Sequence, residues 1–228
     1  MIYEEKVKEL NELLGLKGSP VAVKLVKSAD EIPEGYSKMS EKKRHCEFVQ
    51  NSRLNGNKGY ATSNEHLCKG GAGVMGIEPL PESVATGKMY HQLGNFETAE
   101  AARETVAAIP KSSESYYASI YSPLETAEYE PDVIIIVLTP KQALRVSQAY
   151  LRAKGGRISI DYSGIQSLCA DAVVAVKERG VPNMTLGCSG SRKYAQIADE
   201  EVIMGIPAEN FIEIVDALKT FKGKWGEL

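Results

Sequence analysis

The sequence predicts an α/β (or α+β) fold, and three observations point to it. Apolar runs of strand length alternate with segments of helical spacing. The longest apolar run, Val133–Leu138, has the length of a strand and is too short to span a bilayer. No low-complexity stretch or long linker divides the chain, so residues 1–228 read as a single compact domain. Of the 228 residues 43% are hydrophobic and 25% charged, enough apolar material to bury a core without disulfides.

The elements follow in order. Residues 3–15 place Val7, Leu10, Leu13 and Leu14 on one helical face and stop at Gly15. Gly18-Ser19-Pro20 leads into a strand over 21–26, VAVKLV. Residues 29–45 are irregular and charged, 46–54 are helical, and Asn55-Gly56-Asn57 is a turn. A short strand at Tyr60-Ala61-Thr62 precedes the glycine-rich stretch Cys68–Gly76. Good helix formers fill Glu97–Ala108, and Ser115–Tyr121 alternates like a strand, which accounts for Tyr116, Tyr117 and Tyr121. VIIIVL at 133–138 suits a strand covered on both faces. Lys141–Ala153 is a helix ending at Gly155-Gly156, and Cys169–Arg179 is a second one ending at Gly180. Met184-Thr185-Leu186 is a short strand, and Ala208–Phe221 is the last helix.

Charge and leader features exclude some functions. The 27 basic and 30 acidic residues give a net −3, which calls for neither a nucleic-acid nor a membrane partner. The densest basic run, Lys42-Lys43-Arg44, reads as a solvated face. The acidic, amphipathic start lacks the basic and apolar regions of a secretory signal, so a cytoplasmic protein is expected. There the four cysteines are not structural disulfides.

The cysteines sit in an internal echo. Strand 21–26, a helix opening at His45-Cys46, a short strand, Cys68, a glycine-rich loop and Met75-Gly76-Ile77 form one series. Strand 133–138, a helix opening at Leu168-Cys169, a short strand, Cys188, a glycine-rich loop and Met204-Gly205-Ile206 form the other. A duplication with halves at about 18–110 and 130–220, related by a pseudo-twofold axis, would bring the four cysteines together. No Cys-x-x-Cys knuckle is present. Placement carries the signal instead: Cys46 and Cys169 at helix starts, where unpaired amides favour thiolate, and Cys68 and Cys188 beside glycine-rich backbone. Four thiolates suit a 4Fe–4S cluster or, as the alternative, zinc, and amide donors around sulfur lean towards iron–sulfur. Buried structural cysteines, Cys169 foremost, and a thiol-based catalytic or redox pair are the other accounts.

His45-Cys46, Glu65-His66-Leu67-Cys68-Lys69-Gly70-Gly71-Ala72, Tyr121-Ser122-Pro123-Leu124 with Pro131-Asp132-Val133, Ser167-Leu168-Cys169-Ala170-Asp171, and Leu186-Gly187-Cys188-Ser189-Gly190-Ser191-Arg192 together resemble the domain-of-unknown-function 169 family. The resemblance covers about residues 15–218. It implies a soluble single-domain protein of anaerobes whose signature blocks hold these cysteines, and it supplies no substrate.

Other groups were weighed for chemistry. Gly187, Ser189, Gly190 and Arg192, with Lys69 and Gly70 in the first half, form a candidate cradle for a small anion. His45 and His66 read as groups supporting the site or carrying protons, because Leu168 and Leu186 occupy the matching places in the second half. His91 reads as a surface histidine and Asp171 as a carboxylate in a helix's first turn. The function expected is that of a redox protein with one 4Fe–4S cluster on Cys46, Cys68, Cys169 and Cys188, a small anionic ligand and a redox partner protein. A zinc-stapled, non-catalytic binding module and a thiol enzyme are the alternatives.

Overall fold

The computed structural model describes residues 2–221. Its centre is one six-stranded sheet: β1 Val21–Val26, β2 Gly59–Thr62, β3 Ala118–Pro123, β4 Val133–Leu138, β5 Asn183–Thr185 and β6 Val202–Pro207. The strand order is β2-β3-β1-β4-β6-β5, and every neighbouring pair is antiparallel. The helices are α1 Ile2–Leu14, α2 His45–Asn55, α3 Lys69–Val74, α4 Glu82–Ala85, α5 Lys88–Gln92, α6 Ala99–Ala108, α7 Pro140–Lys154, α8 Ala175–Arg179, α9 Ser189–Tyr194 and α10 Phe211–Lys219. A π-helical segment, Ser167–Val174, runs directly into α8.

Side chains alternate across the strands, so each face of the sheet builds its own core. Val21, Val23, Val133, Ile135 and Val137 pack with residues of α2, α3 and the π segment. Ala22, Ile134, Ile136, Leu138 and Ile206 pack with α1, α7 and α10 on the other side. The result is a three-layer mixed fold in which β4, buried at every residue, has both faces covered as its apolar run implied. No helix among the described residues is long and apolar enough to cross a membrane.

The pairing register is the same on both sides of the central Ala22–Ile134 pair. Val21 opposes Pro123 and Val26 opposes Ala118 on one side, while Val133 opposes Pro207 and Leu138 opposes Val202 on the other. Gly59 opposes Tyr121, and Asn183 opposes Gly205. At the join, Val21 opposes Ile135 and Val23 opposes Val133. Reading β1-α2-β2-α3-β3 beside β4-π/α8-β5-α9-β6 gives the same order of elements twice.

Several sequence readings change here. The strand expected over Ser115–Tyr121 begins at Ala118; Tyr116 and Tyr117 precede it, with Tyr116 bonded to Glu114. The helix expected over Cys169–Arg179 starts earlier, at Ser167, and its first part is π. The two Met-Gly-Ile triplets are not equivalent. Gly76 ends the turn after α3 at φ +76°, where a Cβ would lie 2.1 Å from the Glu114 carbonyl oxygen. Gly205 is inside β6, where a Cβ would lie 2.0 Å from the Ala172 carbonyl oxygen of the π segment. Both glycines permit close backbone approach, but to different partners.

Candidate functional site: a cavity lined by four cysteines

A cavity of about 380 Å³ on the α2 side of the sheet is lined by Cys46, Cys68, Cys169 and Cys188. Each cysteine arrives at the start of a different helix. Cys46 is the second residue of α2, whose entry is fixed by the Glu47 carboxylate accepting the Arg44 amide at 3.0 Å. Cys68 caps α3, its sulfur accepting the Gly71 amide at 3.4 Å. Cys169 lies in the first turn of the π segment. Cys188 caps α9, where its amide donates to Ser191 Oγ at 2.8 Å and that hydroxyl donates back to the Cys188 carbonyl at 2.9 Å. A larger groove, about 760 Å³, runs beside α1 past Lys8, Asn11, Lys17 and Glu125, and none of the cysteines or anion-site candidates lines it.

All four cysteines are free thiols. Burial pushes Cys46 up to about 12, with the Cys188 and Cys68 thiols adding to it. Burial also raises Cys169 well above the ordinary thiol range, again reinforced by its three neighbours, and raises Cys68 against the opposing Gly71 amide. Only Cys188 is lowered: burial opposes ionisation, but the hydroxyls and amides of Ser167 and Ser191 outweigh it. The thiolate-favouring effect expected of the helix starts at Cys46 and Cys169 is therefore overridden by desolvation. Among the described residues, no three His, Cys, Asp or Glu side chains stand close enough to share one metal ion as placed. Backbone without side chains faces the sulfurs, since a Cβ on Gly71 would sit 3.5 Å from Cys169 Sγ and 3.6 Å from Cys68 Sγ.

The anion-site residues separate. Ser189 and Gly190 line the cavity. Gly70 packs behind it, within 3.3 Å of Gln166 Nε2 and the Tyr90 hydroxyl for a Cβ placed there. Lys69 points away, to the Ser63 carbonyl and the Glu78 carboxylate. Gly187 adopts φ +89° against Ser191. Arg192 does not line the cavity; its guanidinium donates to the carbonyls of Leu186, Ile197, Ala198 and Glu201 and ties the 186–201 segment together. The cations that do line the cavity are Arg44, stacked 3.5 Å over the Tyr194 ring, and Lys193.

His45 is buried in the cavity wall with Nδ1 2.8 Å from the Tyr121 hydroxyl, and His66 is buried behind it with Nε2 3.0 Å from Ser119 Oγ. Burial lowers His45 to about 3 and His66 to about 4, so both are neutral. His91 bonds the Phe96 carbonyl at 3.1 Å. Asp171 is not in a first turn, because the π segment already begins at Ser167; it is buried, accepts from Thr185 at 2.9 Å, and burial raises it to about 7.

Sequence reasoning missed Gln166 and Tyr90, both in the cavity wall. Gln166 opens the π segment in the left-handed region, φ +52°. No local sequence signal marks it, because glycine or asparagine is the residue that normally announces that conformation.

Comparison with known proteins now places the chain. The family model DUF169, described as an uncharacterised ArCR family, matches residues 9–217. The chain belongs to the DUF169 family. It is 54% identical over 222 residues to the uncharacterised protein MJ0308 of Methanocaldococcus jannaschii, spanning 97% of this chain and 95% of that one. No solved structure matches it significantly. Membership in DUF169 agrees with the cysteine-bearing blocks and brings no activity with it.

Proposed function

We propose that this DUF169 protein is a cytoplasmic redox protein that holds a 4Fe–4S cluster on Cys46, Cys68, Cys169 and Cys188. The observation that carries the reading is the convergence of four thiols, from four helix starts far apart in sequence, on one cavity. The repeated element order and register support a duplication in which Cys46 pairs with Cys169 and Cys68 with Cys188. Zinc needs four sulfurs about 2.3 Å from one point. A bulkier sulfide-containing cluster spans thiols placed around a cavity such as this one. Bound there, such a cluster supplies one-electron transfer, exchanged with a redox partner protein.

The chain's own groups do the rest. Ser167 and Ser191 favour the Cys188 thiolate, the Gly71 amide donates to Cys68 Sγ, and Gly71 and Gly190 leave room beside the sulfurs. Thiols lose protons when a metal binds, Cys46, Cys68 and Cys169 against the upward push of burial, so loading releases protons. The small-anion part of the reading rests on Arg44 and Lys193, because Arg192 is engaged with backbone carbonyls.

Anaerobic purification with iron and sulfide analysis tests this. A brown protein with iron and sulfide in equal amounts, lost on replacing any one of the four cysteines by alanine, is the expected result. A colourless protein loaded with zinc supports the stapled module, and a colourless metal-free one the thiol enzyme. Loss confined to the Cys46 and Cys68 variants replaces the shared site by one in the first half alone.

A further inference from the structure

The cavity has more wall than four cysteines require. The cysteines come from the elements that occur in both halves, but much of the remaining lining does not. Met89, Tyr90 and Leu93 belong to α5 and the turn after it, inside the 75–117 stretch that separates α3 from β3. The second half passes from α9 to β6 through residues 195–201 alone, so it has nothing equivalent. Ile165 and Gln166 complete this wall from the loop before the π segment.

Gln166 is held there against two penalties. Its φ of +52° is disfavoured for any residue with a Cβ, and a glycine would present the same carbonyl to the Ala170 amide that begins the π segment. Its side chain is 5% exposed as a residue, Nε2 donates to the Tyr90 hydroxyl at 2.8 Å, and Oε1 is buried without a partner among the described residues. Because the Tyr90 oxygen already accepts from Gln166, its own proton is free for another acceptor. An unmet acceptor and an available donor thus stand next to each other beside apolar Met89, Leu93 and Ile165, with Asn95 as the further polar residue that the 75–117 stretch adds to the lining.

We propose that this wall is a binding subsite for a small, largely apolar molecule bearing an amide-like pair of N–H and C=O groups. As placed, Gln166 Oε1 is sealed from solvent, so the side-chain amide would turn towards the cavity as the ligand enters; the ligand N–H would then donate to Oε1 and its carbonyl accept from Tyr90, with the apolar remainder against Met89, Leu93 and Ile165. A cavity of about 380 Å³ lies in the size range of small-molecule sites. The subsite stands whether the cysteines carry a cluster or remain thiols.

Benzamide is the probe, measured by calorimetric titration or ligand-observed NMR on the full chain, with iron determined on the same samples. Benzamide should bind, and N,N-dimethylbenzamide, which lacks the N–H, and benzoate, which sets a carboxylate against Gln166 Oε1, should each bind at least tenfold more weakly. Gln166→Met and Tyr90→Phe, checked for folding by thermal unfolding, should each weaken benzamide at least tenfold. No benzamide binding to the unaltered protein overturns the proposal. Equal binding of dimethylbenzamide or benzoate does so too, whatever the variants do. Equal binding by folded Gln166→Met and Tyr90→Phe proteins also overturns it. The iron content reports separately on the cluster, so the two readings fail independently.

Discussion

Replacing Gly71 by alanine sets stability and metal loading against each other. Gly71 lies inside α3 without a positive φ, so alanine fits the backbone. Its Cβ would meet Cys169 Sγ at 3.5 Å, Cys68 Sγ at 3.6 Å and Cys169 Cβ at 3.7 Å, all ordinary van der Waals distances with no backbone in the way. Alanine in place of glycine in a helix favours folding by roughly 0.5–1 kcal/mol. For a domain of about this size that corresponds to a rise in Tm of about 1–4 °C for the metal-free protein. The added methyl occupies the space beside two of the four sulfurs, so iron incorporation should fall in the same variant. Thermal unfolding of the metal-free protein and iron analysis after anaerobic reconstitution read the two effects separately. A Gly71→Ala protein with raised Tm and undiminished iron would show that the space beside these sulfurs is not where the metal goes. A lowered Tm would refute the packing argument itself.

Other outcomes can be stated now. In metal-free protein near neutral pH, brief alkylation followed by mass mapping should mark Cys188 before Cys46 or Cys169, because only Cys188 is shifted towards the thiolate; a first label on Cys46 would contradict the burial argument. The metal-free protein should lose stability as the pH falls from about 6.5 towards 4. Buried His45 and His66 have folded-state values lowered to about 3 and 4, so unfolding takes up a proton at each in that window, while buried Asp171, raised to about 7, releases one; the net uptake of one proton costs about 1.4 kcal/mol per pH unit. Denaturant unfolding at pH 7 and pH 5 measures it, and a flat profile would refute it. Arg192→Met should cost stability, about 2 kcal/mol or more, because it orphans carbonyls along 186–201; unchanged unfolding with weakened anion binding would restore Arg192 to the ligand site.

The strands β1 and β4 were legible at their true ends because each is a β-branched run bounded by turn-forming residues. β6 was not, since VIMGIP carries a glycine and a proline that argue locally against a strand. α3 and α9 escaped for a related reason. Glycine- and serine-rich segments of six residues lie below the length at which helices form alone, and only cysteine caps and packing hold them. Pro123-Leu124-Glu125 and Pro207-Ala208-Glu209 are alike in another way, each a proline ending a strand and entering a short 3₁₀ turn. That the four cysteines line one cavity could be anticipated because each reads as lying at a helix start or beside glycine-rich backbone. Arg192 was misleading because its partners are carbonyls brought close by a fold that no local pattern encodes.

The join between the halves gives the cavity a mechanical role. β1 and β4 meet only at Val21–Ile135, Ala22–Ile134 and Val23–Val133, whereas each pairs with its own outer neighbour along its full length. The chain crosses from one half to the other once, through residues 124–132. Two of the cysteines belong to each side of that seam. Anything gripped by all four would act as a rivet across that three-pair seam, adding to the Arg53–Glu201 ion pair and the α1–α10 and α2–α9 packing that already cross it. A chain cut in the 124–132 crossing would then yield two fragments whose reunion that rivet strengthens.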